Sequence, residues 1–198
     1  MMNALLLSGG KSSRFGTNKA METINGRPLI EQIVKGLKNA FEKVYIIGNV
    51  KEYVFLQDVF FCEDIIPNKG PLGGLLTGLT CSDSEYNFLT ACDMPFLTSE
   101  FFEFVNLQKK DYDVLVPEYN SYLEPLAAVY SKKCLPFINA SLINDQLKLK
   151  SFFPKVKVRI IKETIIREIG EPEKLFFNIN YKEDIEKLEM NLERSEKI

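Results

Sequence analysis

Hydrophobic positions in this chain follow two rhythms. Short continuous apolar runs at 4–7 and 44–47 read as buried strands, and those at 59–62 and 86–91 as further strands. Between the first two, Leu29, Ile33, Leu37 and Phe41 recur every four residues with Ile30 and Val34 beside them, which predicts a helix entered through Arg27-Pro28. Residues 21–24 form a short extended piece, closed by an Asn25-Gly26 turn. Residues 51–57 suggest a short helix. The stretch Pro67-Asn68-Lys69-Gly70-Pro71-Leu72-Gly73-Gly74 reads as a loop of fixed shape that opens a helix through Leu75, Leu76 and Leu79. Thr98 or Ser99 can cap the next helix, which turns Phe101, Phe102 and Val105 inward.

The second half continues with a strand at 112–116, a polar and aromatic hairpin tip at 117–123, and a returning strand at 127–130. Helices are expected at 132–139 and 145–153, and a late strand at 156–161. Asn180 fits the N-cap of a last helix, with Glu183 as its capping-box partner and Ile185, Leu188 and Leu192 as its apolar stripe. Strands that alternate with helices argue for a mostly parallel α/β sheet. At 198 residues without a repeat or linker, the chain is expected to form one domain, with halves at about 1–97 and 98–198.

Composition narrows the chemistry. A net charge of −2 gives no global pull toward nucleic acid or an anionic membrane. No apolar run approaches the roughly 20 residues that span a bilayer, and the first run is too short for a signal peptide. Cys62, Cys81, Cys92 and Cys134 are scattered with no CxxC pair, so the expectation is a reduced, cytoplasmic protein without a zinc site. There is no histidine, which removes Ser-His-Asp and Cys-His catalysis. A metal would have to take oxygen ligands, which favours Mg²⁺ or Mn²⁺.

The first run ends in Ser8-Gly9-Gly10, followed by a polar loop with Lys11, Arg14 and Lys19. Glycines let the backbone leave a strand sharply and approach a ligand, and exposed N–H groups beside cations suit phosphate. Neither a P-loop nor a dinucleotide fingerprint fits, because the glycine spacing is wrong for both. A plain glycine turn with solvated cations is the competing reading. Gly9, Asn49, Asp64 and Asp93 all follow strands, and ligands of open α/β sheets bind beyond the carboxyl ends of strands. Asp93, in Cys92-Asp93-Met94-Pro95, could ligate Mg²⁺ or simply close an Asx turn. Asp64 has the same two readings.

Together these motifs resemble the molybdenum cofactor guanylyltransferases, the MobA family. The resemblance rests on Leu7-Ser8-Gly9-Gly10-x-Ser12-x-Arg14-Phe15-Gly16-x-Asn18-Lys19 and on Gly70-Pro71-Leu72-Gly73-Gly74. It continues through Cys92-Asp93-Met94-Pro95-Phe96, Glu124-Pro125-Leu126-Ala127 and Phe177-Asn178-Ile179-Asn180, all in the family's order. The first motif is shared by many nucleotidyltransferases, whereas the ordered set of five is specific. The chain departs from the family's usual LAGGxSxRMGxDK at Ser8, Phe15 and Asn18. The last of these removes a negative charge beside Lys19.

The resemblance implies a three-layer sandwich around a mostly parallel Rossmann-like sheet with one antiparallel strand, the nucleotidyltransferase fold. It implies transfer of GMP from GTP to the terminal phosphate of the molybdopterin cofactor, with Mg²⁺ as the cofactor. Leu7, Ser8 and Gly9 would line the guanine and ribose, while Gly10, Arg14 and Lys19 would hold the triphosphate. Asp64 would reach the nucleoside, with Asn49 near it, and Asp93 would bind the metal. Asn178 and Asn180 would face the pterin or assist the phosphate site, Asn180 being equally readable as a helix cap. Molybdenum-insertion proteins and molybdoenzyme chaperones are the protein partners the resemblance suggests. The alternatives are a relative that uses CTP or another acceptor phosphate, such as a sugar or isoprenoid, and a nucleotide-binding protein without catalysis. In the resembling families the Gly9-Gly10 pair goes with guanine. The segment 118–123 is a candidate for acceptor recognition or an ordinary exposed hairpin.

Overall fold

The strand that the rest is built around, β1 (Asn3–Leu7), is buried along its whole length. The computed structural model describes residues 2–8, 19–24, 26–48, 50–179 and 184. After a 3₁₀ turn at Lys19–Met21, the two-residue strands β2 (Thr23–Ile24) and β3 (Arg27–Pro28) pair as a small hairpin. Helix α1 (Leu29–Ala40) follows and buries Leu29, Ile30, Ile33, Val34 and Leu37, the stripe its periodicity predicts. Strand β4 (Val44–Ile47) comes next, then β5 (Phe60–Cys62), helix α2 (Gly70–Cys81) and β6 (Tyr86–Ala91).

The second half runs α3 (Ser99–Leu107), β7 (Val114–Tyr119), β8 (Tyr122–Leu123), β9 (Ala128–Ser131), α4 (Leu135–Ile143), β10 (Val158–Ile161), α5 (Glu163–Ile169) and α6 (Pro172–Leu175). The main sheet has the order β10-β7-β9-β6-β1-β4-β5, with β8 paired to β7. All pairings along this path are parallel except those of β9, which runs antiparallel to both β6 and β7.

Side chains alternate across the central strands and build two cores. Ala4 and Leu6 of β1 join Phe88 and the apolar faces of α1 and α3 on one side of the sheet. Leu5 and Leu7 join Leu89, α2 and α4 on the other. Burial on both faces is why β1 reads as an uninterrupted apolar run. Helices on both sides of a mostly parallel sheet make the three-layer sandwich that the family resemblance implies. Among the described residues no helix is long and apolar enough to cross a membrane.

Several boundaries differ from expectation. Helix α2 begins at Gly70, so Gly73 and Gly74 lie inside it rather than in a loop. A Cβ at Gly74 would stand 2.7 Å from Leu7 Cδ2, and one at Gly78 would stand 2.8 Å from Leu5 Cδ1. Close approach to β1 therefore outweighs the ~1 kcal/mol that each glycine costs a helix. The 51–57 helix is only a 3₁₀ turn, Val50–Tyr53. The 145–153 helix is replaced by a left-handed Asp145 and a 3₁₀ segment, Leu149–Lys155. Strand β7 continues to Tyr119, three residues into the expected tip at 117–123. Asn120 (φ 49°) and Ser121 (φ 64°) make a tight two-residue turn, both left-handed as a type I′ hairpin requires. Helices α5 and α6 were not anticipated, and the helix expected after Asn180 lies outside the described residues.

Candidate active site

The parallel strands β1, β4, β5 and β6 all end at one edge of the sheet, and the register fixes how their ends line up. Leu7 pairs with Ile47 on one side and Ala91 on the other. The ladder continues one step further: the Ser8 amide donates to the Ile47 carbonyl (2.9 Å), the Gly48 amide to the Cys62 carbonyl (3.1 Å), and the Cys92 amide to the Leu7 carbonyl (3.1 Å). Gly48 has φ +116°, a conformation that favours glycine.

From β1 the chain crosses to β4, and from β6 it crosses the other way to β7. Adjacent parallel strands whose connections diverge leave a crevice at their carboxyl ends, where open α/β sheets bind ligands. That crevice lies between Ser8 and Asp93. The opposite edge is closed by polar contacts: Asn3 Nδ2 donates to Ser82 Oγ (2.9 Å) and Asp83 Oδ1 (2.8 Å), and Ser82 Oγ donates to Asn87.

The Leu7 side chain belongs to the core beneath α2, and its carbonyl is taken by Cys92. Ser8 is buried, and its hydroxyl donates to the Ile47 carbonyl at 2.9 Å. The Ser8 carbonyl accepts from the buried hydroxyl of Tyr53 at 3.1 Å. Sequence reasoning missed Tyr53 because its 3₁₀ turn has no periodicity to display. Asp64 follows β5 and is half buried, and its Oδ1 has no hydrogen-bond partner among the described residues. Burial pushes its carboxyl above the ordinary range.

Asp93 is half buried in the turn after β6, where the Met94 amide donates to the Ala91 carbonyl at 3.2 Å. Its own carbonyl accepts from the Ile179 amide at 2.9 Å, which brings the Asn178 segment to the same edge. Phe177 contacts Phe96, and Phe176 contacts Phe101 and Tyr119, so residues 176–179 are stitched to the β6 turn, α3 and the end of β7. Asn178 Nδ2 donates to the Phe176 carbonyl at 3.3 Å. Gly9, Gly10, Arg14, Asn49 and Asn180 lie outside the described residues, as does the side chain of Lys19; its backbone opens the 3₁₀ turn at Lys19–Met21.

The ends of β5 and β6 are three strand spacings apart, about 14 Å. Asp93 therefore borders the crevice, and Asp64 stands two strands beyond Ser8 along the same edge. Among the described residues no group of three or more Cys, Asp or Glu side chains could enclose a metal ion. A lone carboxylate is still the right donor for Mg²⁺, which keeps several waters and takes the rest of its oxygens from substrate phosphates. Thiol chemistry is disfavoured at Cys62 and Cys134, whose thiols burial pushes up to about 12.

Comparison with known proteins agrees with this geometry. Residues 4–158 match the model of the MobA-like NTP transferase domain. The chain is 36% identical over 187 residues to the probable molybdenum cofactor guanylyltransferase of Carboxydothermus hydrogenoformans, covering 94% of each. It is 34% identical over 190 residues to the molybdenum cofactor guanylyltransferase of Desulfosudis oleivorans, covering 95% of this chain and 94% of the relative. The crystal structure of molybdopterin-guanine dinucleotide biosynthesis protein A from Archaeoglobus fulgidus superposes with a TM-score of 0.85. That pair is 22% identical, with 98% of this chain and 100% of the other covered, and so shares the fold. With the crevice, the strand order and near-full-length relatives in agreement, this chain belongs to the MobA-like NTP transferase family.

Proposed function

We propose that this chain transfers GMP from GTP to the terminal phosphate of the molybdenum–molybdopterin cofactor, releasing pyrophosphate. The observation that carries it is the Cys92–Leu7 ladder bond, which sets the Asp93 turn beside the end of β1, from which the Ser8-Gly9-Gly10 motif continues. Near-full-length likeness to named guanylyltransferases supplies the choice of substrates.

In-line transfer between phosphates asks little covalent work of a protein. It needs the two substrates held in register and the charge on their oxygens offset. The attacking phosphate is already ionised at neutral pH, so the absence of histidine is no obstacle. Gly9 and Gly10 would offer backbone N–H groups to the triphosphate. Arg14, as a fork, and Lys19, as a point charge, would neutralise it. Leu7 and Ser8 would form the floor beneath the nucleoside, and Asp64 with Asn49 would meet it from the β4–β5 side. Asp93 would hold Mg²⁺, which when bound supplies charge neutralisation across the phosphate oxygens. Asn178 and Asn180 would border the acceptor. Handover of the product to molybdenum-insertion proteins or molybdoenzyme chaperones rests on family resemblance.

The test is pyrophosphate release from GTP, Mg²⁺ and molybdenum–molybdopterin, with CTP as competitor. GTP-dependent release that excess CTP barely slows is expected. Preference for CTP, or no release from well-folded protein, would overturn the assignment.

A further inference from the structure

The motif Glu124-Pro125-Leu126-Ala127 is not used by the chemistry above. It connects β8 to β9 at the same carboxyl edge. The Glu124 amide donates to the Pro117 carbonyl (2.9 Å), and the Glu124 carbonyl accepts from the Ala127 amide (3.1 Å). The turn therefore spans the end of β7 and the start of β9. It is braced from below by the Tyr130 hydroxyl, which donates to the Pro125 carbonyl at 2.7 Å. Pro125 further confines Glu124 to extended backbone. Strand β9 lies beside β6, so Glu124 stands on the far side of Asp93 from Asp64.

The Glu124 side chain is half buried, and among the described residues its carboxylate makes no hydrogen bond or ion pair. Burial pushes its carboxyl above the ordinary range, opposed only by the more distant charge of Lys150. A carboxylate held on a braced turn, partly desolvated and unpaired, is an arrangement that folding does not reward. It is what a site built to accept two N–H donors looks like before its ligand arrives.

We propose that Glu124 binds the ring of the acceptor, its two oxygens taking the adjacent ring N–H and 2-amino donors of a 2-amino-4-oxo pterin. The proposal rests on the guanylyl-transfer reading and adds where the acceptor ring lies. The carboxylate would repel the acceptor's phosphate, which must sit near Asp93, so its role belongs to the other end of that molecule. From β6 to β7 is two strand spacings, about 10 Å, a span that a phosphorylated pterin can bridge.

Guanine carries the same pair of donors, so the experiment must tell the two rings apart. Steady-state kinetics of the full chain, with GTP and molybdenum–molybdopterin varied separately, do this. Glu124→Gln is expected to raise the acceptor KM about 10–100-fold, the effect of losing a charge-assisted pair. The GTP KM should stay unchanged and the thermal midpoint should rise slightly, since a partly buried unpaired charge is removed, and Glu124→Asp should recover part of the lost acceptor affinity. An unchanged acceptor KM, or a rise confined to GTP, would overturn the proposal. Equilibrium dialysis of the pterin against wild type and Glu124→Gln makes the same comparison without turnover. An inactive wild type would then count against the transfer reaction, while equal pterin binding by the two proteins would count against Glu124.

Discussion

The backbone amide of Ile179 donates to the carbonyl of Asp93 at 2.9 Å, joining the last described segment of the chain to the turn after the central strand β6. Eighty-odd residues separate the two in sequence, and a single hydrogen bond aligns them at the crevice. The Ile179 side chain is fully buried in the core beneath α1 and α3. Ile179→Ala should therefore cost about 2–5 kcal/mol of stability. It should also lower kcat in the protein that remains folded, because the bond to the Asp93 turn loses its anchor. Denaturant titration followed by kinetics well below the midpoint separates the two effects.

Asp93 is the acidic group beside the proposed reacting phosphates. Asp93→Asn keeps the shape and removes the charge. Turnover should fall on the order of 100–1000-fold, the range seen when a transition-state contact is lost. GTP should still bind measurably by calorimetry. Near-normal turnover would mean that the metal is held elsewhere.

Ser8 stands where the family usually has alanine, and its hydroxyl is spent on the Ile47 carbonyl. That hydroxyl is turned into the ladder between β1 and β4, so it should not contribute to nucleotide affinity. Ser8→Ala is expected to leave the GTP KM within about twofold and to cost on the order of 1 kcal/mol of stability. A large rise in KM would show that the Ser8 hydroxyl itself contacts the nucleotide.

Asp64 carries a carboxyl whose folded-state pKa is raised by burial. In the window between the ordinary carboxylate range and that raised value, the folded state binds more protons than the unfolded state, so stability falls as pH rises through it. At neutral pH the charge is a liability without a ligand. Asp64→Asn should raise the thermal midpoint of the nucleotide-free protein, flatten this part of its stability–pH profile, and weaken GTP binding. Scanning calorimetry from pH 4 to 8 tests the first two, and titration with GTP the third.

Gly73 lies in the first turns of α2, where an added Cβ would come within 2.7 Å of Lys69 Cβ and 3.4 Å of the Ile66 carbonyl oxygen. Alanine gains ~1 kcal/mol of helix propensity. Overpacking against the N-cap residue costs about 1–3 kcal/mol, because the atoms met are the Lys69 Cβ and the Ile66 carbonyl, fixed by the backbone, and not the flexible tip of the lysine. Gly73→Ala is therefore expected to be destabilising overall, read as a lower denaturant midpoint at unchanged slope.

Much of the fold was legible because burial leaves periodic traces. Strands covered on both faces appear as short apolar runs, and α1 shows its stripe at every fourth residue. The carboxyl-edge placement expected for Gly9, Asn49, Asp64 and Asp93 came from the same pattern, since each follows a strand; among the described residues, Asp64 and Asp93 lie at that edge. Short elements left weaker traces: the 3₁₀ turn that carries Tyr53 reads as a longer helix, the helical start at Gly70 as a loop, and the short helices α5 and α6 have too few turns to show a period. The glycines of α2 suggested a loop because their actual role, close approach to β1, depends on a partner distant in sequence.

By itself, the sequence determined which short apolar segments form the strands β1, β4, β5 and β6, that no histidine is available as a ligand or base, and that a Ser8-Gly9-Gly10 motif with cations follows the first strand. These are local properties, set by side-chain chemistry and the two-residue and 3.6-residue periods of the backbone. Only the tertiary structure decided that β6 lies against β1, that β9 inserts antiparallel between β6 and β7, and that residues 176–179 fold back onto the Asp93 turn. Pairing between distant strands is chosen by competition among whole packings of the core, and no window of sequence contains that comparison.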